Sequence, residues 1–356
     1  MSIKPVLKLM MNNQLLALTG SNALLRPFYQ LNYLVAAKEC GLFELLLDAP
    51  KGFEQLAEVY CTDDKAREAL EAWLGLGVQL GYLGLDTRGY ALKGLAKKLA
   101  LSQNDAALAL LQEAAGFHAS LISQTVRKLR NGELWNLEDQ DGEIIARSSR
   151  IMEAFQTEAI DRFFPASGVA SLLEIGCGSG YYIKYAANRN PSLAALGLEL
   201  QPNVADVARR NISEWGLEGR VRIEVGDIRM KAPDECFSIV SLYNNIYYFA
   251  VESRVSLLQH IRRFIKPGGF LLLITCCQGG SLGVEVLNLW GAATLTGGRL
   301  PSKGELISQL HHAGFQDVQT VRLIPGEEFF AFKALPGKTP ESQATRKLRR
   351  VAPKEG

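Results

Sequence analysis

Residues 172–180 read Leu-Leu-Glu-Ile-Gly-Cys-Gly-Ser-Gly, and no other stretch restricts the possible folds as tightly. An apolar run of this length is a strand buried on both faces, as in a parallel sheet covered by helices. It passes directly into a turn with glycine at every second position. Glycine is required where the backbone bends sharply and where a ligand must touch the main chain, and a Cβ at Gly176 or Gly178 would obstruct that approach. From Ser171 onward short apolar runs alternate with amphipathic stretches of about a dozen residues. Strands are expected at Leu172–Ile175, Leu193–Leu198, Val221–Val225, Ser238–Tyr243, Phe270–Thr275, Val318–Leu323 and Glu328–Phe332. One intervening helix, Val204–Trp215, has Asn203 to cap its start and Gly216 to end it. The pattern predicts an α/β fold, a Rossmann-like seven-stranded doubly wound sheet.

The first half is mainly α-helical. Gln30–Cys40 is followed by Gly41, and Thr62 is placed to cap a helix running to Leu80. Two short apolar strands flanking Asp86–Gly89 complete a winged-helix outline. Four regions are expected: residues 1–104 winged-helix-like, 105–164 a linker of long helices (Asp105–Asn131 and Glu143–Phe164), 165–337 the α/β domain, and 338–356 a basic, disordered tail.

Charge and composition exclude several roles. Six basic residues against Glu341 and Glu355 give the tail +4, which leaves the rest of a +2 chain at −2. In the helix Thr62–Leu80, Asp63, Asp64, Glu68 and Glu71 outnumber Lys65 and Arg67, a poor surface for a phosphate backbone. No nucleic-acid partner is expected. Mean hydropathy is +0.02, no apolar run approaches the ~18 residues that cross a bilayer, and Asn12, Asn13 and Gln14 interrupt any leader-like stretch. No membrane partner is expected either. Six cysteines without a Cys-x-x-Cys pair fit reduced thiols in the cytoplasm, with no metal site.

Glu174, Glu199 and Asp227 end the first three strands of the α/β half, along the crevice where such sheets bind ligands. Their charge disfavours a pyrophosphate and favours a ligand carrying a cation, a ribose and an adenine. At these residues the sequence resembles the class I S-adenosylmethionine-dependent methyltransferases, whose acid-x-G-x-G-x-G motif matches Glu174–Gly180. The resemblance covers roughly Phe155 to Ala334, with Lys266-Pro267-Gly268-Gly269 fitting a further family turn. It implies that Gly176, Gly178 and Gly180 border the methionine portion of S-adenosylmethionine, that Glu199 with Leu200 takes the ribose, and that Asp227 with Ile228 frames the adenine. Asn244 joins this set. The segment Gln30–Phe43 looks like the dimerisation domain of small-molecule O-methyltransferases, which implies a homodimer.

On the acceptor side the sequence departs from that family. Where the family commonly places a histidine after the fourth strand, Leu242-Tyr243-Asn244-Asn245-Ile246-Tyr247-Tyr248 puts Tyr248, a hydrogen-bond donor rather than a base near neutrality. Tyr248, Asn245 and His118 are therefore the catalytic candidates. Met152, Phe155, Gln156, Tyr247 and Trp290 are the candidates for acceptor contact. His260, His311, His312, Cys276 and Cys277 read as structural. Residues 279–301 are expected to form an apolar lid hinged at Gly279-Gly280 and Gly297-Gly298. The expected function is methyl transfer from S-adenosylmethionine to a small, largely apolar or aromatic specialised metabolite, with oxygen preferred as acceptor. Transfer to carbon or nitrogen, and a lyase, hydroxylase or rearrangement reaction on the same fold, are the alternatives, with DNA regulation last.

Overall fold

The computed structural model describes residues 3–337, so the expected basic tail lies outside the described residues. The chain divides into two compact units. One holds the residues up to Ser120 with Glu143–Ile151, the other Leu121–Gly142 with the residues from Met152 onward. The stretch 105–164, read from sequence as a linker, is shared between them.

The first unit runs through α1 (Lys4–Met11), α2 (Gln14–Glu39), α3 (Leu42–Leu46), α4 (Phe53–Tyr60), α5 (Asp64–Leu80), a hairpin of β1 (Leu83–Asp86) and β2 (Gly89–Leu92), α6 (Gly94–Leu99) and α7 (Asp105–Glu113). Its core gathers Tyr33, Leu42, Phe43, Leu56, Leu74 and Leu83. Asp63, not Thr62, caps α5: its carboxylate accepts from the Ala66 N–H at 2.8 Å, and a negative charge at a helix start is favoured by the dipole. α2 buries only residues near its C-terminal end, from Tyr33 to Ala37; before them Leu16, Leu24 and Phe28 stand exposed. The long helix expected from Asp105 is interrupted by a π turn, Ala114–His118, before α8 (Ala119–Arg130). α9 (Gly142–Ser148) and α10 (Glu153–Phe163) follow.

The second unit is built on β3 (Ala170–Ile175), α11 (Tyr181–Arg189), β4 (Leu193–Glu199), α12 (Pro202–Glu214), β5 (Val221–Val225), β6 (Phe237–Tyr243), α13 (Arg254–Arg262), β7 (Ile265–Cys276), α14 (Leu282–Ala293), α15 (Lys303–His312), β8 (Phe315–Arg322) and β9 (Phe329–Pro336). The seven strands lie in the order β5-β4-β3-β6-β7-β9-β8, and β9 alone runs antiparallel to its neighbours. The doubly wound sheet read from the sequence is present, with all seven expected strands. Leu173, Leu196, Val240 and Leu271 are essentially inaccessible in its centre, each worth about 1.5–3 kcal/mol of burial. Two local readings change. Pro202, whose fixed φ suits a first helical turn, starts α12 after Gln201, with Asn203 inside the helix. Pro267, Gly268 and Gly269 lie within β7, where the register with β6 shifts, rather than before it.

Strand order reverses at β3, with β4 on one side and β6 on the other. This is the switch point at whose carboxyl edge open α/β sheets bind ligands.

Candidate cofactor and acceptor site

Beyond β3 the chain turns through Gly176, Gly178 and Gly180 at φ of +69°, +53° and +79°. The turn is anchored by the Gly176 N–H donating to the Leu198 carbonyl at 2.7 Å and the Gly180 N–H donating to the Cys177 carbonyl at 2.9 Å. Two of the glycines are needed for different reasons. A Cβ on Gly176 would stand 2.5 Å from the Asn245 amide nitrogen, whereas one on Gly178 would meet no atom within 4 Å. The first glycine serves packing within the protein, and the second leaves an open cradle.

Three carboxylates at the ends of β3, β4 and β5 lie in different surroundings. Glu174 is 2% exposed and its Oε2 has no hydrogen-bond partner. Burial, and secondarily the charge of Glu199, push its carboxyl well above the usual range. Glu199, at the end of β4, accepts from the Gly178 N–H at 3.0 Å and from the Gln201 N–H at 3.1 Å, joining the turn to the start of α12. Burial alone would raise the Asp227 carboxyl, but Arg229 outweighs it and holds the group low; the guanidinium Nε and Nη2 donate to Asp227 Oδ2 at 2.8 and 2.6 Å. Leu200 is exposed and Ile228 is buried.

The end of β6 supplies amides and aromatic rings. Asn244 adopts φ +50°, a left-handed conformation asparagine tolerates better than most residues. Its N–H donates to the Ile274 carbonyl at 2.7 Å. Asn245 Nδ2 donates to the Ile175 carbonyl at 2.7 Å, which brings this segment against the glycine turn. Both amide oxygens are buried without a partner. The Tyr247 and Tyr248 rings lie 4.8 Å apart. On α10, Met152 precedes the first turn, Phe155 is half-buried, and Gln156 is buried with its Oε1 unpartnered. The Tyr181 hydroxyl, one residue past Gly180, donates to Glu153, so this helix borders the turn. Trp290 is buried in α14. The expected lid is a helix followed by a closely packed segment: the Gly298 N–H donates to the Tyr247 carbonyl at 2.9 Å, and a Cβ on Gly298 would stand 2.9 Å from the Val251 nitrogen. That end is closely packed.

His118 belongs to the other unit. Its Nε2 lies 2.9 Å from Glu113 Oε1, and the opposite oxygen of Glu113 accepts from the Ser148 hydroxyl at 2.5 Å. His260, His311 and His312 bond to Lys231, Phe315 and Ser308 within the fold. Sequence reasoning missed Arg229, although an Asp with a polar residue two positions on is a turn signal. It also missed Tyr182, whose ring meets Tyr243 edge-on at 5.4 Å, and Arg254, for which no local signal exists.

These residues fit S-adenosylmethionine. A buried, unpartnered carboxyl oxygen suits an ammonium, the open side of Gly178 suits close backbone approach, and an acid ending β4 suits a ribose diol. No group of side chains suited to a metal ion is found among the described residues, and no helix among them is long and apolar enough to cross a membrane.

A methyltransferase domain model matches residues 172–269. Demethylspheroidene O-methyltransferase of Cereibacter sphaeroides is 26% identical over 192 residues, 52% of this chain and half of that relative's length. The N,N-dimethyltransferase OxyT of Streptomyces rimosus is 27% identical over 263 residues, covering 69% of this chain and 74% of its own. The solved structure of a mitomycin 7-O-methyltransferase superposes with a TM-score of 0.75 at 22% identity, covering 92% of this chain and all of that one. Human N-acetylserotonin methyltransferase, solved with S-adenosylmethionine, gives 0.71 at 20% identity, covering 90% and 98%. At these identities the structures speak for the fold. Residues 172–269 therefore carry a methyltransferase domain, and the chain is similar in fold to S-adenosylmethionine-dependent small-molecule O-methyltransferases.

Proposed function

We propose that the protein transfers the methyl group of S-adenosylmethionine to an oxygen of a small, largely apolar or aromatic metabolite, acting as a homodimer in the cytoplasm. The observation that carries the reading is the open glycine turn between a buried Glu174, whose Oε2 has no partner, and a Glu199 that already braces the turn. When bound, the cofactor supplies an electrophilic methyl group on a sulfonium sulfur. In our assignment Glu174 accepts from its ammonium, Glu199 from the ribose, and Asp227 with Ile228 lies along the adenine. On the acceptor side the chain's own contribution is position and exclusion of water. Asn244 completes the cofactor side; Tyr247, Tyr248 and Phe155 wall the acceptor, the Tyr248 hydroxyl and the Asn245 amide orient its polar group, and Met152, Gln156 and Trp290 shape the pocket. Without a histidine on the β6 segment, an acceptor that ionises readily, such as an acidic phenol, suits the site best. His118, held by Glu113, is the remaining candidate base.

The exposed apolar side chains of α1 and α2, among them Met11, Leu16 and Leu24, support a dimer in which a second chain covers them. The free cysteines support a reducing compartment.

The test is incubation of the full chain with methyl-labelled S-adenosylmethionine and host metabolites, read by mass spectrometry. The expected result is one labelled methyl gained per S-adenosylhomocysteine formed, at an oxygen by fragmentation. A product methylated at nitrogen or carbon moves the protein within the family. A changed metabolite without S-adenosylhomocysteine makes it a lyase, hydroxylase or rearrangement enzyme, and no binding of S-adenosylhomocysteine removes the reading.

A further inference from the structure

Arg254 opens α13 and is completely buried, although a helix N-terminus repels a cation. No carboxylate lies within ion-pair distance of it among the described residues. Its guanidinium instead spans two backbone carbonyls: Nε donates to Phe249 at 3.1 Å and Nη2 to Arg299 at 2.7 Å, while Nη1 is buried with no partner. Burial pulls the group down to about 10. A buried charge that hydrogen-bonds only to carbonyls, with the carboxylates of Glu305 and Glu252 acting on it from beyond ion-pair distance, is an expensive way to join two loops, and an apolar residue would fill the same space at less cost.

What it joins explains the position. Phe249 closes the turn that follows Asn244–Tyr248. Arg299 lies on the segment Thr294–Leu300, which is tied down elsewhere as well: the Leu295 N–H donates to the Trp135 carbonyl at 2.8 Å, and Gly298 donates to the Tyr247 carbonyl. Leu300 donates to Asn288 Oδ1 at 2.9 Å. Gly298 carries no Cβ, and one would stand 3.0 Å from Arg254 Nη2. The planar fork of an arginine, fixed in geometry, is suited to holding two carbonyls at a set spacing, which a lysine is not.

We propose that Arg254 is the positioning residue of the acceptor half of the site, fixing Tyr247, Tyr248 and Phe249 by tying their turn to the segment Thr294–Leu300. The proposal rests on reading Asn245–Phe249 as acceptor-facing. The substrate is not reached by Arg254 itself; the effect passes through the backbone it holds.

The test is hydrogen exchange of the full chain with S-adenosylhomocysteine bound, in wild type, Arg254→Ala and Arg254→Lys. The amides of Tyr248, Phe249 and Gly298 are expected to exchange at least tenfold faster in the alanine variant, with lysine restoring little. Those of Gly176 and Gly178, and the affinity for S-adenosylhomocysteine, are expected to stay within twofold. Guanidinium chloride at low millimolar concentration, but not sodium chloride, restores protection to Arg254→Ala. With the acceptor in hand, its KM rises at least tenfold while that of S-adenosylmethionine is unchanged. Should Arg254→Ala fail to fold, Gly298→Ala, which forces the segment away from Arg254, is expected to give the same local pattern. Uniform acceleration across the sheet, no local change, or equal loss of cofactor binding overturns the proposal. Failure of wild type to bind S-adenosylhomocysteine overturns the functional reading instead, and the exchange comparison then proceeds on the free chain.

Discussion

The two halves of the proposed site are built by different means. On the cofactor side the determinants are backbone shape and charge contributed in place: three glycines in left-handed conformations and acids that end consecutive strands. On the proposed acceptor side β6 leads into a turn of aromatic rings whose placement depends on remote segments, through Gly298 and Arg299 for Tyr247–Phe249. If the assignment holds, the cofactor half is expected to be sensitive to its own residues, and the acceptor half to residues far along the chain.

Gly176→Val attacks this contrast hardest. It forces a branched residue to φ +69° and into Asn245, so affinity for S-adenosylhomocysteine is expected to fall at least about 100-fold by calorimetry, equivalent to about 2.7 kcal/mol. Glu199→Gln keeps the shape but removes the charge, and should weaken binding by about 1.5–3 kcal/mol, or about tenfold to a hundredfold. Tyr248→Phe is the reverse probe: cofactor affinity unchanged, with kcat/KM for the acceptor reduced about tenfold. If Tyr248→Phe instead weakens cofactor binding, the division between the halves is misplaced. Asp227→Ala is expected to weaken binding only about threefold to tenfold, because that carboxylate is already shared with Arg229.

The smallest effect is one of pH, and the two outer acids carry opposite signs. Glu174 titrates higher in the folded chain than unfolded. Between those two values the folded chain keeps a proton that the unfolded chain has released, so this contribution to stability falls as pH rises. Asp227 titrates lower when folded, so its contribution is present above the ordinary carboxylate range and is lost as pH falls. Glu174→Gln should therefore raise the melting temperature of the ligand-free protein above the ordinary carboxylate range and flatten its decline as pH rises from there. An unchanged slope would show Glu174 ionised in the empty site.

Legibility from sequence follows the same contrast. Strand, turn and acid are consecutive from Leu172 to Gly180 and recur at fixed positions after it, so local reasoning reached them, and the seven strands were visible as apolar runs. Arg254 was not legible because an arginine among Glu252, Ser253 and Ser256 reads as solvated, and one of the carbonyls it binds, that of Arg299, lies 45 residues later. The start of α5 was missed by one residue because Thr62 and Asp63 are both good caps and only the geometry selects between them. The segment 279–301 suggested motion because its glycines are frequent, yet Gly291, Gly297 and Gly298 are there to let backbones touch.

The strand order has a consequence for how the molecule is made. β9, the last strand, inserts between β7 and β8, so during synthesis Leu271–Ile274 offer an unpaired apolar edge until residues 329–336 have left the ribosome. Such an edge is a template for association with other chains. Assembly of the sheet therefore waits for its final segment, and a product ending before Phe329 should aggregate rather than persist as a smaller enzyme.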